Sequence, residues 1–158
     1  MDFASTDNLN WDVVTRDLNV KVDGTDIKVP GKVAQLRDDT MEVIGVTGTS
    51  YHVFQNSSLK NIIFPAVEEG ILEIENIGVI KNGSKVFIQA KMSENFTIAG
   101  EETKGMISLL NAHDGTASLA AGVTTERVIC SNTFASAMTD MDSRLRHGRD
   151  IQEKAQSI

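Results

Sequence analysis

The stretch ILEIENIGVIKNGSKVFIQAKM, residues 71–92, decides the fold. Residues 71–80 form one largely apolar run, and residues 85–92 alternate apolar with polar side chains, as a strand with one buried face does. Between the two runs, Asn82-Gly83 favours the positive φ angles of a tight turn. The stretch therefore predicts an antiparallel β-hairpin.

Further strands are predicted on both sides of this hairpin. Residues 105–111 and 117–123 read as two strands joined by the polar segment 113–116, which gives four consecutive antiparallel strands. Residues 33–37 and 41–46 read as two shorter strands, and residues 51–55 continue the alternating pattern. The sequence therefore predicts an α+β fold, in which an antiparallel sheet of about four or more strands carries helices on one face.

Helices are predicted in three places. The first begins at Ser57 or Ser58 and ends at Gly70, and Pro65 should kink or divide it because proline lacks an amide donor. The second begins at Ser131 or Asn132. The third occupies 142–158 with an interruption at Gly148, and it stops without an obvious cap. The chain is then either a truncated piece or one whose last helix packs on another subunit.

Length and composition limit the domain organisation and the function. A chain of 158 residues fits a single domain, 1–158, and its first 30 residues look loosely structured. The formal charge of −7 opposes nonspecific binding to nucleic acid, which normally uses a basic surface. We see neither a signal peptide nor an apolar run of about 20 residues. The single cysteine, Cys130, cannot form an internal disulfide, so we expect an intracellular protein without a membrane partner.

Uncommon polar residues concentrate between positions 111 and 133. His113-Asp114 is chemically suited to bind a metal, but too few further histidines accompany it, and the segment 113–116 also has the composition of a polar turn. We favour the turn, and we assign no metal or cofactor. Cys130 is either a nucleophile activated by His113 or a small apolar residue of the core, and the core interpretation is preferred.

Arg127 has two interpretations that stay open at this stage. Because it precedes an apolar run, a sheltered guanidinium would need a partner. One interpretation is a salt bridge to Asp38, Asp39 or Asp114. The other is an anion contact completed by Ser131, Asn132 and Thr133 at the start of the second helix, although Asn132 is equally suited to be a helix cap only.

Several of these motifs occur together in the order found in one family. They are Arg37-Asp38-Asp39-Thr40, Ile44-Gly45-Val46, Tyr51 with Gln55-Asn56, His113-Asp114-Gly115-Thr116, and the segment from Arg127 to Thr133. Over about residues 8 to 150 the chain resembles the phage- and plasmid-like family called domain of unknown function 932. The resemblance implies a place in bacteriophages, plasmids or prophage-like islands, often amid genes of DNA maintenance or recombination. It implies no reaction and no catalytic residue, and relatives are typically longer.

Three functions follow as hypotheses. The leading one is a protein of nucleic-acid metabolism in the cytoplasm of a bacterial host, which binds single-stranded DNA or assists its annealing, as the similar strand order of phage annealing proteins suggests by analogy. Tyr51 or Phe87 would stack on bases, and basic side chains would contact phosphates; these are Arg127, Lys81, Lys85, Lys91, Arg144, Arg146 and Arg149.

The other two hypotheses use different chemistry. An acidic protein-interaction module, acting as a phage accessory or host-inhibiting factor, would explain the negative charge and would have a phage or host protein, or further copies in a homo-oligomer, as its partner. A hydrolase would need His113, Asp114 and Cys130 to converge. We rank the hydrolase last and lean against an enzyme. The basic side chains are in every case also suited to a solvated surface without a ligand.

Overall fold

A five-stranded and a three-stranded antiparallel sheet, a short hairpin and three helices form the fold in the computed structural model, which describes residues 8–92, 96–98, 101–103, 105–125 and 127–157. The strands are β1 (Val13–Val22), β2 (Thr25–Arg37), β3 (Val43–Gly48), β4 (Leu72–Ile80), β5 (Lys85–Met92), β6 (Phe96–Ile98), β7 (Glu101–Thr103), β8 (Met106–Ala112), β9 (Leu119–Thr124) and β10 (Ser143–Leu145). The helices are α1 (Asn56–Glu68), α2 (Ser131–Thr139) and α3 (Ile151–Ala155).

The predicted hairpin is confirmed as β4 and β5. Ile80 pairs with Lys85 at its closed end, and Asn82 and Gly83 in the turn have φ angles of 58° and 109°. The larger sheet has the order β10-β9-β8-β5-β4, so the four predicted antiparallel strands are neighbours. The hairpin of β6 and β7 is inserted between β5 and β8 along the chain. The α+β class is therefore confirmed.

Helices cover both faces of the larger sheet, whereas one covered face was predicted. Successive side chains of a strand point to opposite faces, and Val86 and Phe87 belong to two different buried clusters. The Val86 cluster contains α1 and α3 side chains, and the Phe87 cluster contains Phe134 of α2. The prediction failed because β5 is buried on both sides from Val86 to Ala90, although its sequence alternates like a half-exposed strand.

The smaller sheet has the order β1-β2-β3, and from Val13 onward its strands occupy the segment of the first 30 residues that was predicted to be loosely structured. Its first two strands are joined by a two-residue turn in which Asp23 and Gly24 both have positive φ. The sequence does carry signals of this hairpin, because Leu18, Val20 and Val22 alternate with polar residues before Asp23-Gly24, and the prediction overlooked them. Residues 19–28 are nevertheless exposed on both faces. The strand predicted at 33–37 is found within β2, and the strand predicted at 41–46 overlaps β3, which begins at Val43.

Two further predictions on secondary structure were wrong. Residues 51–55 form no strand, because the Gln55 side chain and not its backbone contacts β1. The long helix predicted over 142–158 is not formed in the described residues 142–157: β10 pairs with β9, and only Ile151–Ala155 is helical. Pro65 leaves α1 undivided, because it lies in the last turn and removes a single amide near the helix end.

None of the helices in the described ranges is long and apolar enough to cross a membrane.

Candidate functional site

A polar junction of Trp11, Asn56 and His113 lies buried between the two sheets. Asn56 and His113 have no exposed surface, and Trp11 is 5% exposed. The Asn56 amide donates from Nδ2 to the Trp11 carbonyl oxygen at 3.2 Å, and its Oδ1 lies 2.9 Å from Nε2 of His113. The Trp11 and His113 rings meet edge to face, with centroids 5.7 Å apart. Three positions far apart in the sequence are thereby fastened together.

The protonation of His113 follows from this arrangement. Because Oδ1 of Asn56 only accepts, Nε2 of His113 carries the proton and Nδ1 is bare. Nδ1 is buried and has no hydrogen-bond partner within the described ranges. Burial, with the neighbouring His147 acting in the same direction against an opposing effect of Asp114, lowers the pKa of His113 to about 3. The imidazole is therefore neutral at physiological pH.

Side-chain hydrogen bonds and a cation–π contact attach β1 and β2 to the rest of the molecule around this junction. Gln55 binds the backbone of Val13 twice: Oε1 accepts from its amide at 2.8 Å, and Nε2 donates to its carbonyl at 2.9 Å. Arg37 donates from Nη1 to the Asn82 carbonyl in the β4–β5 turn at 3.0 Å, and its guanidinium lies 4.3 Å from the Trp11 ring centroid. Nε and Nη2 donate to the two carboxylate oxygens of Asp39, which orients the guanidinium. Its hydrogen bond to Asp39 raises the pKa of Arg37 and lowers that of Asp39.

The segment 113–116 is the turn that the sequence predicted. The Asp114 carboxylate accepts from the backbone amide of Thr116 at 3.0 Å, and Gly115 has a φ angle of 76°. This turn lies against β3 at Gly45, where a β-carbon would stand 2.5 Å from the Asp114 Cα. Glycine is therefore required for the close approach of the β3 edge to the turn.

An open cleft of about 520 Å³ lies where β3 meets this turn. Lys32 and Arg146 contribute cations to it, and serine and threonine hydroxyls contribute neutral polar groups. Lys85 and Asp114 form an ion pair of 3.3 Å beside it, which neutralises the carboxylate. The cleft is lined by Lys32, Val46, Thr47, Gly48, Ser50, Tyr51, Asp114, Gly115, Thr116, Ala117, Ser118, Arg146 and His147.

A stacked pair of rings, Tyr51 and His147, lies at the inner end of the cleft. Their centroids are 4.5 Å apart and their planes differ by 19°. The Tyr51 hydroxyl donates to the Ala112 carbonyl at 2.7 Å, and Nδ1 of His147 donates to the His52 carbonyl at 2.9 Å. Burial and the Asp114 carboxylate raise the pKa of Tyr51, and burial lowers that of His147 despite the hydrogen bond to His52. Both rings are thus neutral and held in place.

Two residues proposed for a metal site or a hydrolase, His113 and Asp114, are engaged in contacts within the protein. Nε2 of His113 is committed to Asn56, and Asp114 is committed to its turn and to Lys85. In the part of the chain that the structure describes, no three His, Cys, Asp or Glu side chains form a group suited to hold a metal ion.

Cys130 is exposed, and the prediction that it fills the core was wrong. It is the residue before α2, which begins at Ser131 as predicted; the capping contacts are made by the Thr133 hydroxyl and not by Asn132. The Thr133 hydroxyl accepts from the amides of Ile129 and Cys130 at 2.9 and 3.0 Å, and Asn132 is exposed. These residues therefore start a helix, and Asn132 makes none of the capping contacts described.

The predicted cations are dispersed, and most contact acceptors of the protein. Arg127 is exposed and donates to the Glu75 carbonyl at 3.2 Å, so the proposed bridge to Asp38, Asp39 or Asp114 is not formed. Lys91 lies 2.6 Å from Glu75 and 3.5 Å from Glu73. Lys85 is paired with Asp114, and Arg144 donates to the Met138 carbonyl.

Of the remaining predicted residues, only Arg146 and Tyr51 line the cleft. Lys81 and Arg149 are exposed outside the cleft. Phe87 is only 4% exposed, so the prediction that it stacks on a base was wrong. Sequence reasoning missed Lys32, which reaches the cleft because β2 pairs with β3 and places Lys32 opposite Gly48. It also missed Asn56 as the partner of His113, for which the only signal was a polar pair, Gln55-Asn56, beside a helix start.

Comparison with known families identifies the chain's class. Residues 43–158 match the domain of unknown function DUF932, and the chain belongs to this family. The match begins at Val43 and not near residue 8 as predicted, so the segment Arg37 to Thr40 lies outside it. No curated protein and no solved structure matches the chain.

Proposed function

We propose that this chain binds single-stranded DNA in its cleft, as an accessory of phage or plasmid DNA metabolism in the bacterial cytoplasm. The observation that carries the proposal is the position of Lys32 and Arg146 on the wall of one open cleft. Neither side chain forms an ion pair with any of the described residues, whereas Lys85 and Lys91 do. Their charge is thus available to an anion from solution.

The polar lining suits a phosphodiester. The Arg146 guanidinium presents a planar set of donors that matches phosphate oxygens, and the Lys32 ammonium adds a second charge. Hydroxyls of Ser50, Thr116 and Ser118 line the same cleft and supply neutral donors. A phosphate there would meet two cations and several hydroxyls, with the Asp114 carboxylate already compensated by Lys85.

An aromatic ring at the inner end suits a base. Tyr51 lines the cleft, and its orientation is fixed by stacking on His147 and by the hydrogen bond to Ala112. Stacking of a base on an aromatic side chain contributes about 1–3 kcal/mol and tolerates any base. Two cations alone would suit inorganic phosphate equally well. The fixed aromatic ring beside them favours single-stranded DNA as the ligand, because only DNA offers a base for stacking.

The charge distribution predicts weak binding with a shallow salt dependence. Two phosphate contacts give a slope of log affinity against log salt of about −1.4 for a single strand. The formal charge of −7 acts against tighter binding. We therefore expect binding that is detectable at low salt and confined to a few nucleotides.

The test is fluorescence anisotropy with a labelled 12-nucleotide oligothymidine, titrated at salt concentrations from 20 to 200 mM. Lys32→Ala and Arg146→Ala should each weaken binding about tenfold, a loss of about 1.4 kcal/mol. Lys28→Ala is the matched control, because Lys28 is an exposed cation outside the cleft, and it should leave affinity unchanged. No binding at 20 mM salt, or equal binding by all three variants, would reject the proposal.

A second candidate is a protein-interaction module. It is favoured by the apolar side chains that the smaller sheet exposes: Val20, Val22, Ile27, Val43 and Val46 are each 47–58% exposed. Exposed apolar residues clustered on one sheet are typical of a protein contact. Recovery of a partner by the wild type, resistant to nuclease and lost on Val43→Ser with Val46→Ser, would support this function.

A further inference from the structure

β1 is an edge strand of the smaller sheet. In the ranges that the structure describes it pairs with β2 alone, through nine of its ten residues, with a register shift at Leu18. Residues 19–28, the part of the hairpin nearest its turn, are exposed throughout. An edge of this kind presents unpaired amides and carbonyls that are able to pair with another strand.

Two contacts show which residues direct their backbone groups outward. The Val13 amide and carbonyl are bound by Gln55, on the side away from β2. At the other end, Val22 pairs with Thr25 across a two-residue turn, and such flanking residues bond to each other. By alternation along the strand, Thr15, Asp17, Asn19 and Lys21 direct their amides and carbonyls outward.

We propose that β1 pairs antiparallel with β1 of a second copy of this chain, about a two-fold axis at Asn19. In this register Asp17 of each copy lies opposite Lys21 of the other, which gives two opposite-charge pairs. Leu18 lies opposite Val20 on the other face of the strand. A cross-strand pair of either kind stabilises a sheet by about 0.2–1 kcal/mol.

The charges of β1 select this register over its neighbours. An axis at Asp17 would place the two Asp17 carboxylates opposite each other, and an axis at Val20 would place Asp17 opposite Asp23. An axis at Leu18 has the correct backbone alternation but leaves Asp17 opposite Asn19 and Lys21 opposite Thr15. Only the axis at Asn19, among these four, places both Asp17 and Lys21 opposite a residue of opposite charge.

Contacts within one copy are compatible with this pairing. Asp17 already has Lys28 at 3.5 Å, but both side chains are more than 60% exposed, and such a pair contributes little. Arg16 donates to the carbonyl of Thr15 at 2.9 Å, which covers one end of the edge and limits the pairing to residues 17–21. The product is a continuous six-stranded sheet with the order β3-β2-β1-β1-β2-β3, its β1 strands joined at the two-fold axis.

The experiment is sedimentation velocity on the full chain from about 1 to 200 µM, with two single charge reversals, Asp17→Lys and Lys21→Glu. Each variant alone places like charges opposite each other twice, so its dimer dissociation constant should rise on the order of tenfold or more over that of the wild type. An equimolar mixture of the two variants places opposite charges together at both positions. The mixture should therefore form a heterodimer with affinity close to that of the wild type.

Both substitutions lie on an exposed part of the hairpin, and an unchanged circular dichroism spectrum confirms that each variant folds. Lys81→Glu serves as the control, because Lys81 is an exposed cation in the turn between β4 and β5, away from β1. A wild type that stays monomeric throughout the concentration range overturns the proposal. A dimer that tolerates both reversals, or a mixture that fails to associate, also overturns it.

Discussion

Asn56 and His113 fix each other's orientation in the buried junction. The Asn56 amide is prevented from flipping because Nδ2 must donate to the Trp11 carbonyl, and Oδ1 is therefore the atom facing Nε2 of His113. The imidazole in turn must keep its proton on Nε2. A charged imidazole would carry a second proton on Nδ1, which has no acceptor among the described residues.

The first prediction concerns acid. His113 has a pKa of about 3 in the fold against an ordinary value of 6.5, so between these pH values the unfolded chain binds more protons. The free energy of unfolding should be fully retained above pH 6.5 and should fall on acidification, by about 1.4 kcal/mol per pH unit from this residue. Burial lowers the pKa of His147 as well and adds to the loss.

Urea denaturation at pH 7.5, 6.0 and 5.0 measures this slope. His113→Gln should have a lower free energy of unfolding than the wild type at pH 7.5. Its free energy of unfolding should also fall less steeply on acidification, because about one proton fewer is taken up on unfolding. His52→Gln, at an exposed histidine, should keep the wild-type slope. Equal slopes for wild type and His113→Gln would contradict the neutral, buried imidazole.

The second prediction concerns Gly45. In Gly45→Ala the added β-carbon would lie 2.5 Å from the Asp114 Cα and 3.0 Å from the His113 carbonyl oxygen, so β3 must move away from the turn. We expect a loss of at least about 2 kcal/mol in unfolding free energy, as overpacking against backbone causes. Gly48→Ala is the control in the same strand, since nothing lies within 4 Å of its β-carbon position. Similar midpoints for the two variants would refute the prediction.

The third prediction concerns Gln55. Gln55→Ala removes both hydrogen bonds to Val13, which is 4% exposed, and leaves a sheltered amide and carbonyl unsatisfied. The expected cost is about 1–3 kcal/mol, together with faster hydrogen exchange at the Val13 amide. Gln152→Ala, at an exposed glutamine, should change neither quantity. Unchanged protection at Val13 would show that Gln55 does not hold β1.

The fourth prediction concerns the start of α2. Thr133→Ala removes the hydroxyl that accepts from the amides of Ile129 and Cys130, and should cost about 1 kcal/mol. Thr133→Ser keeps the hydroxyl and should retain most of that stability. The Cys130 sulfur lies 3.6 Å from the Thr133 hydroxyl, so without that contact its thiol should react faster with a thiol reagent in Thr133→Ala. If the alanine and serine variants are equally stable, the cap does not have the role described.

Local chemistry made part of the structure predictable. The β4–β5 hairpin and the turn at 113–116 were found because Asn82-Gly83 and Asp114-Gly115 determine their own backbone geometry. The pairing of Asn56 with His113 joins residues 57 positions apart, and nothing in the neighbourhood of either predicts it. The cleft was missed for the same reason, since it exists only where β3 reaches the turn at Gly45.

Burial was predicted least well for residues whose type alone does not determine whether they lie in the core or on the surface. Cys130 was expected in the core because cysteine is commonly buried, but its place before α2 keeps it exposed. Phe87 was expected to be available to a base, but the second face of the larger sheet is covered by α2. Amphipathic alternation reveals which residues share a face; it does not reveal whether a later element covers that face.

The family match begins at Val43, inside the smaller sheet and after the two strands that support β3. Trp11 and Val13, which precede that boundary, belong to the same buried cluster as Leu59, Val86 and Leu109. A fragment cut at residue 43 would begin with an orphan strand and would expose the apolar interior to water. The family match and the cooperatively folded unit therefore begin at different residues of this chain. A fragment intended for expression should retain the residues from Asn8 onward.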